Sequence, residues 1–223
     1  MTEPPKTEAL IDIREVEFSY SPDRPVLGGC SFHLEPGQRV AMTGANGSGK
    51  TTLLHMIVGL VRPSSGRIEI FGKERREEAD FYEVRRRIGL LFQDSDDQLF
   101  CPAVAEDVAF GPLNLGIKRD QVRQIVSQTL ADLGLGGYEN RITYQLSSGE
   151  KRLVALATVL AMQPEVLLLD EPTNSLDDQA VERLLEILLR LPQAMILVSH
   201  DREFRRQLTN QTFVLRQGHL ETQ

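Results

Sequence analysis

Residues Gly44 to Thr51 have the types and spacing of a loop that holds a polyphosphate, and they read Gly-Ala-Asn-Gly-Ser-Gly-Lys-Thr. Glycines allow the backbone to turn until consecutive N–H groups point inward at an anion. Lys50 can reach the β- and γ-phosphates, and Thr51 can offer its hydroxyl to Mg²⁺. A helix that begins here directs the positive end of its dipole at the phosphates. The pattern therefore predicts a nucleoside triphosphate site.

A strand pattern and a helix pattern flank this loop, as a phosphate-binding loop requires. Residues 39–43 read as the strand that enters it, and residues 52–58 read as the helix that leaves it. A chance glycine-rich turn is the alternative, and the correctly placed strand and helix argue against it. The candidate nucleotide-binding residues here are Gly44, Ala45, Asn46, Gly47, Ser48, Gly49, Lys50, Thr51 and Thr52.

Two adjacent carboxylates follow another apolar run. Val166–Leu169 reads as a buried strand that ends in Asp170 and Glu171. Open α/β sheets bind ligands at the carboxyl ends of their strands. Asp170 can therefore help to hold Mg²⁺, and Glu171 can polarise an attacking water as general base. Taken alone, the pair also fits an acidic strand end that prepares the turn at Pro172.

Three weaker candidates depend on this context. Gln93 and His200 each end a strand-like run. There the Gln93 amide could reach a metal ion or a water, and the His200 imidazole could reach the γ-phosphate. Considered alone, Gln93 would be interpreted as a surface glutamine and His200 as a structural histidine. Residues 146–150 (Leu-Ser-Ser-Gly-Glu) head a long helix, and small residues there expose N–H donors to an anion. An ordinary serine N-cap is the alternative. A second anion-binding turn far from the first suggests two chains that complete each other's sites.

The composition of the whole chain limits the class of protein. The 223 residues are 41% hydrophobic and 26% charged, which is compatible with one sizeable α/β domain. A formal charge of −7 gives no general attraction to nucleic acid or to an anionic membrane surface. Cys30 and Cys101 lack metal-ligand or redox spacing, which indicates a reduced, cytoplasmic setting. No apolar run is long enough to span a bilayer, and residues 1–6 do not resemble a signal peptide. If the protein functions at a membrane, we therefore expect it to bind there to another chain.

The order of apolar and polar residues predicts an α/β core that is interrupted by a mainly helical insertion from Asp94 to Met162. The clearest helices of this insertion are Gln121–Leu133 and Gly149–Met162, and Asp178–Leu191 is predicted as a leucine-rich amphipathic helix after it. The predicted strands are Leu10–Tyr20, Val26–Leu34, Arg39–Thr43, Arg67–Phe71, Ile88–Phe92, Val166–Leu169, Met195–Val198 and, as the last strand of the chain, Thr212–Arg216.

In this order, the motifs closely resemble those of the ATP-binding subunits of ABC transporters over nearly the whole chain. Any single element beyond the phosphate loop is a weak indication, but six in the correct order are specific. The matching elements are the Walker A loop Gly44–Thr51, the Q-loop Gln93, the signature Leu146–Glu150, the Walker B strand Val166–Glu171, the D-loop Ser175–Asp177 and the switch His200, with Tyr20 where the family places a ring against adenine.

The resemblance implies an α/β fold: a P-loop NTPase (RecA-like) core with a mixed sheet, an antiparallel β subdomain and an inserted helical subdomain. A single ABC ATPase domain would span residues 1–223, with the core in about 1–93 and 163–223 and the helical subdomain in about 94–162.

The resemblance also implies an ATPase with ATP and Mg²⁺ as cofactors. The implied catalytic residues are Glu171, His200, Lys50 and Gln93, and the implied Mg²⁺ ligands are Thr51, Gln93 and Asp170. Tyr20 would stack on adenine. Four signature residues would act in trans, on the ATP of a second ATP-binding subunit: Ser147, Ser148, Gly149 and Glu150. Asp177 would lie at the interface between the two subunits.

The signature departs from the family's usual two glycines followed by glutamine. Ser148 precedes Gly149, and Glu150 stands in place of the glutamine. Ser148 could crowd the triphosphate of the partner, and Glu150 adds negative charge nearby, although it also favours a helix amino terminus. We expect tuned affinity rather than loss of activity.

A narrower resemblance follows Gln93. The segments Asp94–Phe100 and Glu106–Gly116, with Lys151–Met162, are similar to the energy-coupling factor group of importers. This implies a subunit at the cytoplasmic face of the cell membrane that energises uptake of cobalt or nickel ions, or of a vitamin such as biotin. Its partners would be a second ATP-binding subunit, a transmembrane coupling subunit and a substrate-binding membrane subunit, and no nucleic acid.

Other functions remain as alternatives. A DNA-repair or chromosome-organising ATPase would carry long heptad arms between Thr51 and Leu146, and a translation factor of this fold would join two cassettes in one chain; neither feature occurs. A regulatory module that binds ATP without turnover is disfavoured by Glu171 and His200. Within transport, an exporter or a lipid system stays open.

Overall fold

The structure is a computed structural model that describes residues 9–223. The expectation about a signal peptide falls on residues outside this range. The strands are β1 (Ile11–Ser21), β2 (Arg24–Leu34), β3 (Arg39–Thr43), β4 (Ser65–Ile70), β5 (Lys73–Glu74), β6 (Ile88–Leu91), β7 (Val166–Asp170), β8 (Ala194–Val198), β9 (Gln211–Arg216) and β10 (His219–Thr222). The helices are α1 (Lys50–Ile57), α2 (Phe81–Arg87), α3 (Val104–Asn114), α4 (Arg119–Asp132), α5 (Ser148–Leu160), α6 (Asp178–Arg190) and α7 (Arg202–Leu208).

The chain forms two compact units. One contains the described residues up to 85 together with residues 192–223, and the other contains residues 86–191. The predicted division into a core and a helical subdomain between residues 94 and 162 stays a prediction. Among the described residues, no helix is long and apolar enough to cross a bilayer.

An antiparallel sheet forms one layer of the first unit, with the strand order β2-β1-β4-β5. Ile11 pairs with Leu34 on one side and with Ile70 on the other, and all three side chains are buried. Buried residues alternate with more exposed ones along β1 and β2, as expected for a sheet with one covered face.

Strand β3 lies at the centre of the second layer of this unit. It pairs in parallel with β8 and with β9, and β10 pairs antiparallel with β9, so this layer is mixed. The middle residues Val40–Met42 and the whole of Ala194–Val198 are buried, as parallel strands covered on both faces require.

The prediction that Thr212–Arg216 is the last strand is wrong, because β10 follows β9. The two strands join through Gln217 and Gly218, whose φ angles are 48° and 83°. Positive φ at both central residues is the geometry of a tight hairpin turn with the twist of the flanking strands. The turn has glycine only at its second position, and the strand after it is short, so the sequence signal was weak.

In the second unit, β6 and β7 pair in parallel, with Ile88 opposite Val166 and Leu91 opposite Leu169. Arg87 makes two hydrogen bonds, of 2.6 and 3.0 Å, to the carboxylate of Glu165, just before these strands begin. Helix α5 packs on β6 and on α3, and α3 packs on α4.

The packing of α5 on β6 explains Gly89. A Cβ atom at Gly89 would lie 2.1 Å from Val159 Cγ1, which is far inside van der Waals contact. Helix α5 is buried along most of its length, which accounts for its clear apolar pattern in the sequence.

Candidate functional site

The loop between β3 and α1 has the backbone that the glycine pattern predicted. Gly44, Gly47 and Gly49 have φ angles of 144°, 76° and 106°, a region that other residues rarely adopt. A Cβ at Gly44 would also lie 2.6 Å from the carbonyl oxygen of Leu215. The tight turn therefore requires glycine, and it precedes the first turn of α1 directly.

Positive charge is concentrated at the start of this helix. Lys50 is only 8% exposed, and its Nζ donates to the main-chain oxygens of Gly44 and Ala45, both at 3.0 Å. Thr51 is half-buried, and the first turn of α1 contains no acidic residue. Together, an ammonium group and a helix amino terminus suit an anion.

Tyr20 lies beside the same helix. Its hydroxyl is 3.0 Å from Oγ1 of Thr52, while 56% of the residue is exposed. Phe18 packs edge-on against the ring at 4.9 Å, and the Arg24 guanidinium carbon is 5.8 Å from the ring centre. The Tyr20 ring is fixed by these contacts and still exposed, so its face is suitable for stacking on a base. That role stays a prediction.

His200 leaves the same edge of the sheet as the phosphate loop. Strands β3 and β8 are parallel neighbours, with Met42 opposite Val198, so Thr43 ends β3 and His200 follows β8 at the same edge of the sheet. His200 is exposed, and the next residue, Asp201, caps α7 by accepting from the N–H of Phe204 at 2.9 Å. The structure thus brings the predicted switch histidine to the side of the sheet that carries the loop.

In the second unit, too, candidate residues lie at the carboxyl ends of neighbouring parallel strands, and two of them are acidic. Because β6 and β7 are parallel, Gln93, which follows β6, lies at the same edge as Asp170, the last residue of β7, and Glu171, the residue after it. Asp170 is 2% exposed and Glu171 is 5% exposed. Glu171 has a φ of 43°, an uncommon conformation for a residue with a side chain and one that clusters at functional sites.

Arg152 of α5 holds the segment that contains Gln93, a role that no sequence motif indicated. Its Nη1 donates to the oxygen of Phe92 and its Nη2 to the oxygen of Gln93, both at 2.6 Å. Burial lowers the pKa of this guanidinium, while the charges of Asp94 and Asp170 act in the opposite direction. An arginine on the apolar face of a helix was the available signal, since a buried cation needs partners.

The signature residues form the amino terminus of α5. Ser147 is the N-cap, and its Oγ accepts from the N–H of Glu150 at 3.3 Å. In return, Glu150 Oε2 accepts from the N–H of Ser147 at 2.9 Å and from its hydroxyl at 3.0 Å. This is a complete capping box, so the serine has the ordinary capping role, and its role on the ATP of an opposing subunit stays a prediction.

Two residues that the sequence analysis did not select complete this cluster. Tyr138 donates its hydroxyl to Glu150 Oε1 at 2.7 Å, and Arg141 Nη1 donates to the same oxygen at 3.1 Å. The Arg141 guanidinium also stacks on the Tyr138 ring, 3.5 Å from its centre. The N–H of Ser147 and the hydroxyl of Tyr138 hold the pKa of the Glu150 carboxyl below its usual range.

The signature turn lies against the start of α6. A Cβ at Gly149 would be 3.1 Å from Cβ of Ala180, so a small residue is favoured there, while Ser148 is exposed. Asp177 caps α6, since its Oδ1 accepts from the N–H of Ala180 at 2.8 Å. The role of Asp177 at a subunit interface stays a prediction, and Ser175, in the same loop, has a φ of 61°.

These features point to a nucleotide-hydrolysing protein, and comparison with known proteins gives the family. The profile described as ABC transporter matches residues 27–174, which include the phosphate loop, the signature and the two carboxylates. The chain belongs to the ABC transporter family. It is an ATPase, which hydrolyses ATP to ADP and phosphate, and its domain is the ATP-binding one of this family.

Individual relatives narrow the comparison. A Brucella suis protein, whose name describes an ABC transporter ATP-binding protein and gives no cargo, is 56% identical over 197 residues, which cover 88% of this chain and 82% of the relative. The energy-coupling factor transporter ATP-binding protein EcfA of Methanothermobacter thermautotrophicus is 43% identical over 215 residues, covering 95% of this chain and 69% of EcfA.

A solved structure supports the same grouping. CbiO1 of Clostridium perfringens, described as part of the ABC transporter complex CbiONQ, superimposes with a TM-score of 0.86 at 33% identity and covers 96% of this chain and 87% of its own. The predicted fold, a P-loop NTPase with a mixed sheet, an antiparallel sheet and helices, is confirmed. The chain therefore has relatives of the energy-coupling factor type.

Proposed function

We propose that this chain energises an energy-coupling factor importer whose cargo is cobalt or nickel ions. The observation that carries the proposal is the segment after Gln93, because it is anchored at one end and exposes aromatic side chains at the other. The similarity to EcfA and CbiO1 supports the same group.

Gln98 anchors this segment within the second unit. Its Oε1 accepts from the N–H of Phe92 at 3.1 Å, and its Nε2 donates to the oxygen of Ala155 at 3.0 Å and to Thr158 Oγ1 at 2.9 Å. The segment is thus fixed to α5, so a change in α5 would move it.

Phe100 lies at the far end of this segment. It is 64% exposed and packs edge-on against Phe110 of α3, with 4.8 Å between ring centres. Exposed aromatic pairs are typical anchors for a protein partner. We propose this pair as the contact for a transmembrane coupling subunit, which in turn serves a substrate-binding membrane subunit at the cytoplasmic face.

The hydrolytic mechanism follows from the proposed roles of the residues. Two ATP-binding subunits associate head to tail, with ATP bound between them. In each site Lys50 and the N–H groups of the phosphate loop neutralise the charge of the phosphates. Glu171 accepts a proton from the attacking water. His200 hydrogen-bonds the γ-phosphate, and Ser147 of the opposite subunit closes over it.

The remaining in-trans groups support this closure. Ser148, Gly149 and Glu150 lie in the same helix turn as Ser147, and Asp177 would connect the two sites across the interface. Each chain would thus supply one half of each site.

The donor set suits Mg²⁺ as the accompanying ion. Thr51 offers a hydroxyl, Gln93 an amide oxygen and Asp170 a nearly buried carboxylate, and Mg²⁺ prefers oxygen ligands together with substrate phosphates. We propose that these three residues hold it. The ion, when bound, neutralises charge on the β- and γ-phosphates.

Two experiments test the proposal. Deletion of this chain from its host should abolish uptake of radiolabelled cobalt or nickel and leave biotin uptake unchanged. The reverse result would favour a vitamin as cargo. A vitamin is the second candidate because the name of the relative EcfA specifies no cargo. Phe100→Ala should reduce co-purification of membrane subunits. Tyr82→Ala is the matched control, because Tyr82 is equally exposed at 63%.

A further inference from the structure

The Ser147 hydroxyl has a single proton, and Glu150 engages it. Ser147 Oγ is 3.0 Å from Glu150 Oε2, and both the carboxylate and an ionised γ-phosphate can only accept. The proton can therefore bond to Glu150 or to the phosphate of an opposing ATP, but not to both. Both acceptors are charged, so each can form a strong hydrogen bond with this neutral hydroxyl.

The carboxylate itself is held in place by donors on a separate segment. Oε1 accepts from Tyr138 and Arg141, and Oε2 accepts from the N–H of Ser147. These bonds fix the carboxylate beside the serine, and they also disperse its charge. Tyr138 and Arg141 thus moderate how strongly Glu150 retains the proton of Ser147.

We propose that Glu150 is a brake on ATP-driven closure: it competes with the γ-phosphate for the hydroxyl of Ser147, and Tyr138 sets the strength of that competition. The inference rests on the head-to-tail arrangement proposed above and adds its regulation. Glu150 acts through Ser147 and is a positioning residue.

Replacement of Glu150 by glutamine tests this directly. With its amide oxygen in the place of Oε1, the glutamine still accepts from Tyr138 and Arg141. Its amide nitrogen then takes the place of Oε2 and donates to Ser147 Oγ, which leaves the hydroxyl proton for the phosphate, while the N–H of Ser147 loses its acceptor. In a Glu171→Gln background, in which closed dimers accumulate, E150Q should lower the ATP concentration for half-maximal dimerisation roughly three- to tenfold. Light scattering over a series of Mg-ATP concentrations measures this.

Tyr138→Phe should shift the same midpoint in the opposite direction. Loss of one donor makes the carboxylate a stronger acceptor, so about twofold or more additional ATP should be needed. Adding Y138F to E150Q should have no further effect. A purely structural role would impair both variants in the same direction.

Glu186→Gln is the matched control, because Glu186 is an exposed carboxylate of the same unit that pairs only loosely with Arg190, at 3.8 Å. It should leave the midpoint unchanged. With Glu171 intact, E150Q should lower the KM for ATP.

The two proposals fail differently. If the Glu171→Gln parent stays monomeric at every Mg-ATP concentration, the head-to-tail arrangement is wrong and the brake falls with it. If the parent dimerises and E150Q leaves the midpoint unchanged or raises it, the arrangement stands and the brake alone is overturned.

Discussion

Arg152 Nη2 donates to the main-chain oxygen of Gln93 at 2.6 Å. Arg152 is the fifth residue after Ser147 on the same rigid stretch of backbone, so the signature serine and the Q-loop glutamine are joined by one helix and one side chain. A displacement of α5 is thereby transmitted to the segment that holds Gln93, because the guanidinium is buried and has little room to adjust.

We therefore expect Arg152→Met to lower kcat by about tenfold or more and to destabilise the protein by about 1–3 kcal/mol, since the main-chain oxygens of Phe92 and Gln93 lose their charged donor. Steady-state ATPase assays and thermal unfolding measure the two effects. Arg152→Lys should retain the charge but only part of the bonding. Arg123→Gln, at an exposed position, is the control, and equal turnover in R152M and R123Q would contradict the coupling role.

Glu171→Gln should abolish most turnover while ATP binding persists. Removal of a general base commonly costs about 10²–10⁴ in rate, and glutamine keeps the shape of the side chain. Single-turnover hydrolysis and equilibrium binding of ATP separate the two steps. Ordinary turnover in this variant would show that the water is activated by another group.

Substitutions of Tyr20 distinguish stacking from hydrogen bonding. Tyr20→Phe keeps the ring and removes only the bond to Thr52, so ATP affinity should change little. Tyr20→Ala should weaken binding by about 1–3 kcal/mol if the ring stacks on the base. Isothermal titration with ATP gives both values, and equal affinity in Y20A and the unmodified protein would remove the stacking role.

The pH dependence of stability should include a contribution from Glu83. Hydrogen bonds from Lys73 and from the buried Arg75 lower its pKa from 4.5 to about 2. A lowered folded-state pKa means that the stabilisation is complete above 4.5 and is lost as the pH falls towards 2. Glu83→Gln should therefore unfold at a lower temperature than the parent at pH 7.

The same comparison at lower pH provides the control. The difference in unfolding temperature between Glu83→Gln and the parent should shrink as the pH falls through this interval, because the parent carboxylate then becomes neutral. Thermal unfolding followed by circular dichroism at several pH values measures it. A difference that stays constant with pH would mean that the substitution acts through packing.

Local spacing was sufficient to predict the backbone turn and the strand end that carry the candidate site residues. Gly44–Thr51 and the pair Asp170 and Glu171 are recognisable because the loop turn and the strand end depend on neighbouring residues only. The strands that carry them were predicted for the same reason, within one or two residues at most ends. The separate roles assigned to those residues stay predictions.

The tertiary structure decided the contacts between segments that are distant in sequence. Tyr138 and Arg141 meet Glu150 only because the turn before the signature folds back on α5, and Arg152 meets Gln93 only because α5 packs on β6. Such contacts depend on how helices and strands pack against each other, which the period of apolar residues does not specify. The sequence by itself therefore determined which chemical groups are present, and the packing decided which of them restrain one another.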